Sequence, residues 1–268
     1  MLQKISTKIT YIVWLMRFPI VSVSILLSMI SLNFSNTADY SGIIPLTLII
    51  IAGYVQNDIY DVEIDRVSAP SRPIPSGNVS INEAKALYAC LVAVGLGMGL
   101  LLFNFPFFVY LFVVLLFFLV YTRFCKTNWL IKNGFTALTS TTVILIPLFF
   151  GSSLSETNLS LGVSAFFFTF GRELFMDVRD LSGDQTIPNV KRLPTNISLS
   201  ASFFLLLLSR IVRESMLFFS WERVIVYLFI CVPFYFLVKK RKPPYWIISE
   251  LLKILFVIDL LILFFYTY

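Results

Sequence analysis

The sequence predicts an all-α membrane protein that crosses the bilayer nine times. Only 13% of the 268 residues are charged and 58% are hydrophobic, whereas a soluble domain carries about 25% charged residues. The apolar residues fall in runs close to the ~20 residues that a membrane-spanning helix needs. Lys and Arg lie mainly in the short connections between these runs, as they do in polytopic membrane proteins.

Nine apolar segments carry this prediction, and we expect them to form one transmembrane domain over residues 1–268. Strands are disfavoured, because the runs are too long and an open sheet cannot satisfy its edges in lipid. Pro19, Pro147 and Pro233 are expected to bend their helices. The predicted helices cover residues 10–33, 42–64, 82–103, 105–122, 130–151, 158–181, 194–213, 221–239 and 244–267.

The distribution of Lys and Arg predicts how the chain is oriented. The loops around residues 33–41, 104–106 and 151–158 contain neither residue, which places them outside if the N-terminus is cytoplasmic. The net charge of +6 then fits the anionic inner leaflet and not a nucleic-acid surface. We expect a multi-pass protein of the cell membrane with its active site facing the cytoplasm. The basic residues on the cytoplasmic side include Lys4, Lys8, Arg66, Arg72, Arg123, Lys126, Lys132, Lys191, Arg192 and the run 239–242.

The residue inventory excludes several kinds of catalysis. The chain contains no His, which rules out imidazole bases, His metal ligands and a Ser-His-Asp triad. Cys90, Cys125 and Cys231 are scattered and odd in number, so they indicate neither a disulfide framework nor a zinc-ligand spacing.

Acidic residues are concentrated in two motifs of identical spacing. Six of the eight Asp residues occupy D-x-x-D-x-x-x-D positions, and each Asp of the second motif follows its counterpart by 119 residues. This spacing puts three carboxylates on one helix face, where they repel one another unless a cation joins them. Oxygen ligands of this kind suit Mg²⁺. The residues are Asp58, Asp61 and Asp65, with Asn57 on the same face, and Asp177, Asp180 and Asp184.

Both motifs lie at the cytoplasmic end of a predicted helix. Six carboxylates at the bilayer centre would cost about 15 kcal/mol or more on insertion scales. We therefore expect them to face a wet cavity or the membrane interface, where an active site would lie. The repeated motif also suggests two pseudo-equivalent halves of four helices each, with the ninth helix appended.

The two motifs resemble the signatures of the UbiA superfamily of intramembrane prenyltransferases. The first motif, residues 57–65, is followed by Arg-Pro-Ile-Pro-Ser-Gly at 72–77, and the second is preceded by Gly-Arg-Glu at 171–173 and includes Gly183. The resemblance spans the whole chain and implies a nine-helix bundle around a central cavity. The second motif looks most like the branch that transfers a geranylgeranyl group to geranylgeranylglyceryl phosphate, although Met176 stands where many members carry Lys.

The resemblance implies Mg²⁺-dependent transfer of a prenyl group from a prenyl diphosphate to a hydrophobic acceptor. Asn57 and the six motif Asp residues would hold two Mg²⁺ ions, and the Asp residues would thereby carry catalysis by neutralising the departing diphosphate. A Phe-rich interior, drawn from 28 Phe, would take the isoprenoid tail and shield the allylic cation. The residues expected to bind substrate are Asn57, Arg17, Arg72, Arg123, Lys126 and Lys191.

Other functions fit parts of the pattern. A glycerol-phosphate lipid is the leading acceptor, but transfer to an aromatic quinone precursor, or cyclisation with no acceptor, uses the same ionisation. A divalent-cation transporter would spread its acids along the membrane depth, and here they cluster at one face. A CDP-alcohol phosphotransferase needs Gly within its acid motif, which the sequence around Asp58 does not have. The Asp residues could also be purely structural, each paired with Arg or Lys at a helix end.

Overall fold

Helices are the only extended regular elements among the residues that the structure describes. The structure is a computed structural model, and it describes residues 2–37, 39–179, 191–216, 235 and 245–266. Asp180, Asp184 and nearly all of the predicted helix 221–239 lie outside the described residues. Ten α-helices are present in the described part: α1 (Leu2–Leu15), α2 (Phe18–Phe34), α3 (Ile43–Tyr60), α4 (Val62–Ser68), α5 (Ile81–Leu101), α6 (Phe105–Val120), α7 (Trp129–Thr141), α8 (Glu156–Arg179), α9 (Thr195–Met216) and α10 (Tyr245–Tyr266).

Several helices begin where the sequence provides a side-chain cap. Ser80 and Glu83 form a reciprocal capping box ahead of α5, which satisfies two backbone N–H groups that the first turn leaves unpaired. Asn104 accepts a hydrogen bond from the backbone of Phe107 at the start of α6 (2.8 Å). Asn128 does the same for Leu130 at the start of α7 (2.9 Å). These caps set the helix starts locally.

Six of the described helical segments are long and apolar enough to cross a membrane, and the bent pair α1–α2 makes a seventh candidate. These seven coincide with the first seven predicted segments, so the chain is a multi-pass membrane protein. The number nine is not confirmed. The six straight candidates are Ile43–Tyr60, Ile81–Leu101, Phe105–Cys125, Trp129–Phe150, Glu156–Arg179 and Thr195–Arg213.

Three of the predicted helices are interrupted. The first bends by 45° between α1 and α2, where Arg17 has a positive φ of 51°. Pro19 follows at the start of α2, where its missing N–H costs nothing. The second breaks at Asp61, which separates α3 from α4. The fifth continues from α7 as a 3₁₀ helix, Thr142–Phe150, that contains Pro147.

The described chain divides into two compact units, so the single domain over residues 1–268 stays a prediction. The first unit comprises residues 2–25 and 39–126, and the second comprises residues 26–37 and those from 127 onward. In the first unit α3 packs against α5 and α6. In the second unit α8 packs against α7 and α9. The first unit contains the first Asp motif, and the second unit contains Asp177 of the second motif.

Small and hydroxylated residues bring α8 and α9 close together in the second unit. Ser202 donates to the backbone oxygen of Gly171 (2.6 Å), and Ser198 donates to that of Leu174 (2.7 Å). About two helical turns away, Ser209 donates to the backbone oxygen of Ser164 (2.7 Å). Such hydrogen bonds hold helices together in lipid, where apolar burial cannot drive their association.

Candidate functional site

The first Asp motif lies where α3 ends and α4 begins. The backbone N–H of Asp61 donates to Asn57 (2.9 Å) and that of Asp65 donates to Asp61 (2.8 Å), so the helical turn continues through the break. Asp58 and Asp65 are buried at 5% and 4% exposure. Glu63, between them in sequence, points outward with its side chain 79% exposed. The motif therefore turns its Asp residues inward, as their spacing predicts.

The segment after α4 folds back and places an arginine against the motif. The turn is held by backbone hydrogen bonds from Ser76 to Arg72 (3.0 Å) and from Val79 to Pro73 (2.9 Å). Gly77 supplies the positive φ of 76° that this turn needs. Arg72 Nη1 then donates to both carboxylate oxygens of Asp65, at 2.6 and 2.7 Å.

Two further cations reach the motif from distant parts of the first unit. Arg17, at the break between α1 and α2, donates to Asp58 and lies over the ring of Tyr54 at 5.6 Å. Lys126 follows the π-helical turn Tyr121–Cys125 and donates to Oδ1 of Asp61. All three carboxylates of the motif are thus paired with cations, and Arg72 lies 4.0 Å from Asp58 in addition to its contact with Asp65.

Asp61 is held on both of its oxygens. Lys126 binds Oδ1, and Asn57 Nδ2 donates to Oδ2 at 2.8 Å. Thr122 Oγ1 lies 3.5 Å from the amide oxygen of Asn57. Asn57 therefore orients Asp61 through its Nδ2 group, while its amide oxygen accepts from Thr122.

Burial governs the electrostatics of Asp65. Its removal from water raises the pKa of the carboxyl group above the usual value, and the adjacent Arg72 offsets only part of that rise. Positive charge beside the carboxylate opposes the rise in its pKa, because it favours the ionised form. A metal ion or Arg72 can supply that charge.

The second Asp motif begins in the last turn of α8. Lys132 of α7 donates to Oδ1 of Asp177, and Asn133 Nδ2 donates to Oδ2 at 2.7 Å. Asn133 is completely buried, and its own Oδ1 has no hydrogen-bond partner among the described residues. Sequence reasoning assigned Lys132 only to the positive-inside pattern and did not single out Asn133. Polar residues in adjacent positions of an apolar segment were the available signal.

The other residues that the sequence assigned to the site do not contact the first motif in the contacts described. Arg123 is exposed within the π-helical turn, and Lys191 is exposed while its backbone pairs with Thr127 (2.8 Å). Arg172 and Glu173, ahead of the second motif, form an ion pair at 2.6 Å within α8. The structure therefore brings Arg17, Arg72 and Lys126 to the first motif, and it does not bring Arg123 there.

The donor set of the first motif fits a hard divalent cation in its chemistry. Carboxylate and amide oxygens are the protein ligands that Mg²⁺ accepts. In the described part of the chain, however, no three acidic side chains are arranged to hold one ion together. The reason is visible in the contacts, because Asp58, Asp61 and Asp65 are occupied by Arg and Lys side chains. Binding of a metal requires at least some of these ion pairs to open.

Comparison with known proteins decides the family. Residues 19–258 match the sequence profile of the UbiA prenyltransferase family. The chain belongs to this family. It is accordingly a prenyltransferase of the membrane, in agreement with the resemblance of its two motifs.

Individual relatives agree with this family. The digeranylgeranylglyceryl phosphate synthase of Saccharolobus solfataricus is 35% identical over 196 residues, which cover 69% of this chain and 67% of the relative. A solved structure of a digeranylgeranylglyceryl phosphate synthase superposes with a TM-score of 0.63 at 26% identity, over 98% of this chain and 97% of that one. A UbiA homologue from Archaeoglobus fulgidus, bound to GPP and Mg²⁺, gives a TM-score of 0.61 at 15% identity, over 93% and 98%. The last likeness shows the fold alone.

Proposed function

We propose that this chain transfers a prenyl group from a prenyl diphosphate to a glycerol-phosphate lipid, with Mg²⁺ as its metal. The observation that carries the proposal is the set of ion pairs that Arg17, Arg72 and Lys126 form with the first motif. Carboxylates that suit a divalent cation lie beside basic side chains that suit phosphate oxygens. A prenyl diphosphate bound through Mg²⁺ needs both kinds of group in one place.

A purely structural role explains these ion pairs less well. Replacing buried ion pairs with apolar residues is often neutral or stabilising, because desolvation of the charges offsets their attraction. Four buried or half-buried pairs, at Asp58, Asp61, Asp65 and Asp177, would therefore be a poor way to stabilise the helix ends. Their concentration at the two motifs supports a role in binding.

The residues of the first motif take distinct parts in the proposed reaction. Asp58, Asp61 and Asp65, with the amide oxygen of Asn57, would hold the metal. When bound, Mg²⁺ supplies positive charge that stabilises the departing diphosphate. Arg72 and the other two cations bind the phosphate oxygens and orient the allylic carbon, whose C–O bond breaks. The acceptor oxygen then bonds to that carbon and gives its proton to the released diphosphate or to a motif carboxylate.

The second motif supplies a second set of ligands in this proposal. Asp177 lies at the end of α8, and Asp180 and Asp184 continue the spacing outside the described residues. Lys191 and Arg123 remain proposed contacts to substrate. The cell membrane and a cytoplasmic active site belong to the proposal and are supported by the distribution of Lys and Arg. A single domain over residues 1–268 completes the proposal, and the match of residues 19–258 to one family profile supports it.

The identity of the acceptor rests on the named relatives. The S. solfataricus protein is a digeranylgeranylglyceryl phosphate synthase and shares 35% of the aligned residues with this chain. A geranylgeranyl donor and a glycerol-phosphate acceptor follow as the leading substrates.

The proposal is tested with purified protein in detergent micelles, radiolabelled geranylgeranyl diphosphate and Mg²⁺. The acceptors are geranylgeranylglyceryl phosphate, 4-hydroxybenzoate and none. We expect a lipid product that both Asp58→Ala and Asp177→Ala abolish. Asp39→Ala is the matched control, because Asp39 is an exposed loop residue that bonds only its neighbour Ser41 in the contacts described. An aromatic product, or a hydrocarbon formed without acceptor, would contradict the proposed glycerol-phosphate acceptor but would remain consistent with the proposed metal site.

A further inference from the structure

The same arrangement of donors surrounds one Asp in each unit. Asp61 is bound by the Lys126 ammonium on Oδ1 and by an Asn amide on Oδ2. Asp177 is bound by the Lys132 ammonium on Oδ1 and by the Asn133 amide on Oδ2. The side chains are shielded to the same degree, with Lys126 and Asp61 at 18% and 16% exposure and Lys132 and Asp177 at 19% and 18%.

The second of these arrangements is held in a well-defined frame. Asn128 caps α7, and the backbone of Trp129 donates to Lys191 (3.2 Å). These two hydrogen bonds hold the beginning of α7, whose first five residues include Lys132 and the fully buried Asn133. Since Asn133 cannot move without leaving a buried amide unpaired, it anchors one oxygen of Asp177. Lys132 is the movable member, because its ammonium ends a flexible four-carbon stem.

We propose that Lys132 binds a substrate phosphate group and releases Asp177 to the metal as it does so. The inference rests on the proposed function and adds a residue to it. An ammonium and a divalent cation compete for the same carboxylate oxygen, and a metal bound alone would lie next to an uncompensated positive charge. A phosphate group removes that conflict, because it accepts hydrogen bonds from the ammonium while it shares the metal.

The consequence is that metal and phosphate bind together more strongly than either binds alone. Asn133 keeps Asp177 oriented during the exchange, and its buried, unpartnered Oδ1 offers a further oxygen in the same place. The ligand class is a phosphate oxygen. It belongs either to the diphosphate of the prenyl donor or to the phosphate of the glycerol-phosphate acceptor.

The test uses the full-length protein in detergent and measures binding, without turnover. Mn²⁺ replaces Mg²⁺, because it also prefers oxygen ligands and its free form is quantified by electron paramagnetic resonance. Radiolabelled pyrophosphate and radiolabelled glycerol phosphate are then each bound by equilibrium dialysis at saturating Mn²⁺. The variants are Lys132→Met, Lys132→Arg and the matched control Lys85→Met, which removes an exposed charge from α5.

We expect Lys132→Met to bind Mn²⁺ alone at least as tightly as the unaltered protein, because a competing charge is gone. Its affinity for one of the two phosphate ligands should fall about tenfold, the value of one charge-assisted hydrogen bond. Lys132→Arg should restore most of that affinity. Lys85→Met should change neither the affinity for Mn²⁺ nor the affinity for the phosphate ligands. If Lys132→Met loses affinity for pyrophosphate, Lys132 contacts the diphosphate of the prenyl donor. If it loses affinity for glycerol phosphate, Lys132 contacts the phosphate of the acceptor.

Two results would overturn the inference. If Lys132→Met loses Mn²⁺ together with both phosphate ligands while its thermal unfolding midpoint matches that of the unaltered protein, Lys132 only holds Asp177 in place. If Lys132→Met keeps full affinity for both phosphate ligands, Lys132 does not contact phosphate. If the unaltered protein binds neither Mn²⁺ nor pyrophosphate, the result contradicts the proposed function itself.

Discussion

Replacing Arg72 with Met tests the ion pairs of the first motif most directly. Arg72 donates to both oxygens of Asp65, whose side chain is only 6% exposed. The substitution keeps much of the apolar stem but leaves the buried carboxylate without its cation. Breaking a buried pair costs about 3–5 kcal/mol. Because the Arg72 side chain is 30% exposed, and solvent screens part of the attraction, we expect a loss of about 2 kcal/mol in the free energy of unfolding.

The assay is thermal unfolding of the metal-free protein in detergent. A loss of about 2 kcal/mol lowers the midpoint by roughly 4–8 °C in a chain of this size. Asp65→Asn and the double variant complete a mutant cycle, and Arg72→Met should cost little when residue 65 is already neutral. Arg66→Met is the matched control, since Arg66 pairs with Glu63 on the surface, where such pairs are worth about 0–1 kcal/mol.

The pH dependence of the Arg72→Met variant provides a second readout. Burial already raises the pKa of Asp65, and loss of Arg72 raises it further. A carboxyl group whose pKa is higher in the folded state than in the unfolded state favours folding as the pH falls through the folded value. The stability difference from the unaltered protein should therefore shrink at low pH. The reasoning would be refuted if the destabilisations caused by Arg72→Met and Asp65→Asn were additive in the double variant. It would also be refuted if the stability difference between Arg72→Met and the unaltered protein grew on acidification.

Three further predictions concern other parts of the molecule. Gly171→Ala should destabilise the protein by about 1–3 kcal/mol, because an added Cβ would lie 2.9 Å from the backbone oxygen of Ser202. Gly97→Ala is the control, since nothing lies within 4 Å of a Cβ added there, and thermal unfolding measures the stability of both variants. Lys126→Met should weaken binding of pyrophosphate about tenfold in equilibrium dialysis, and unchanged affinity would exclude Lys126 from phosphate binding. Removal of divalent metal with EDTA should abolish prenyl transfer and added Mg²⁺ should restore it, so activity that persists in EDTA would contradict the proposed metal.

Much of the candidate site follows from the sequence because it is local. Spacing within one helix decides which face a residue occupies, so Asp58, Asp61 and Asp65 could be placed together before any fold was known. The type of each residue decides its chemistry, which is why oxygen ligands and basic partners could be named. Burial of Asp58 and Asp65 and exposure of Glu63 follow the same local rule.

Pairing between distant segments was decided by the tertiary structure. Arg17 meets Asp58 across 41 positions and Lys126 meets Asp61 across 65, distances along the chain at which periodicity carries no information. Lys132 shows the limit most clearly, because its charge fitted the positive-inside pattern and only the packing of α7 on α8 brings it to Asp177.

The sequence by itself determined that this is a helical membrane protein with two carboxylate motifs, since apolar runs and residue spacing act over one helix at a time. The tertiary structure alone decided which cation neutralises each carboxylate, and it placed a helix break at Asp61, where no Pro lies. Pro19 and Pro147 had already marked the other two interruptions in the sequence, because Pro disrupts the hydrogen-bond ladder of a helix. Ion pairs form wherever packing lowers the cost of burying a charge, and packing is a property of the whole fold.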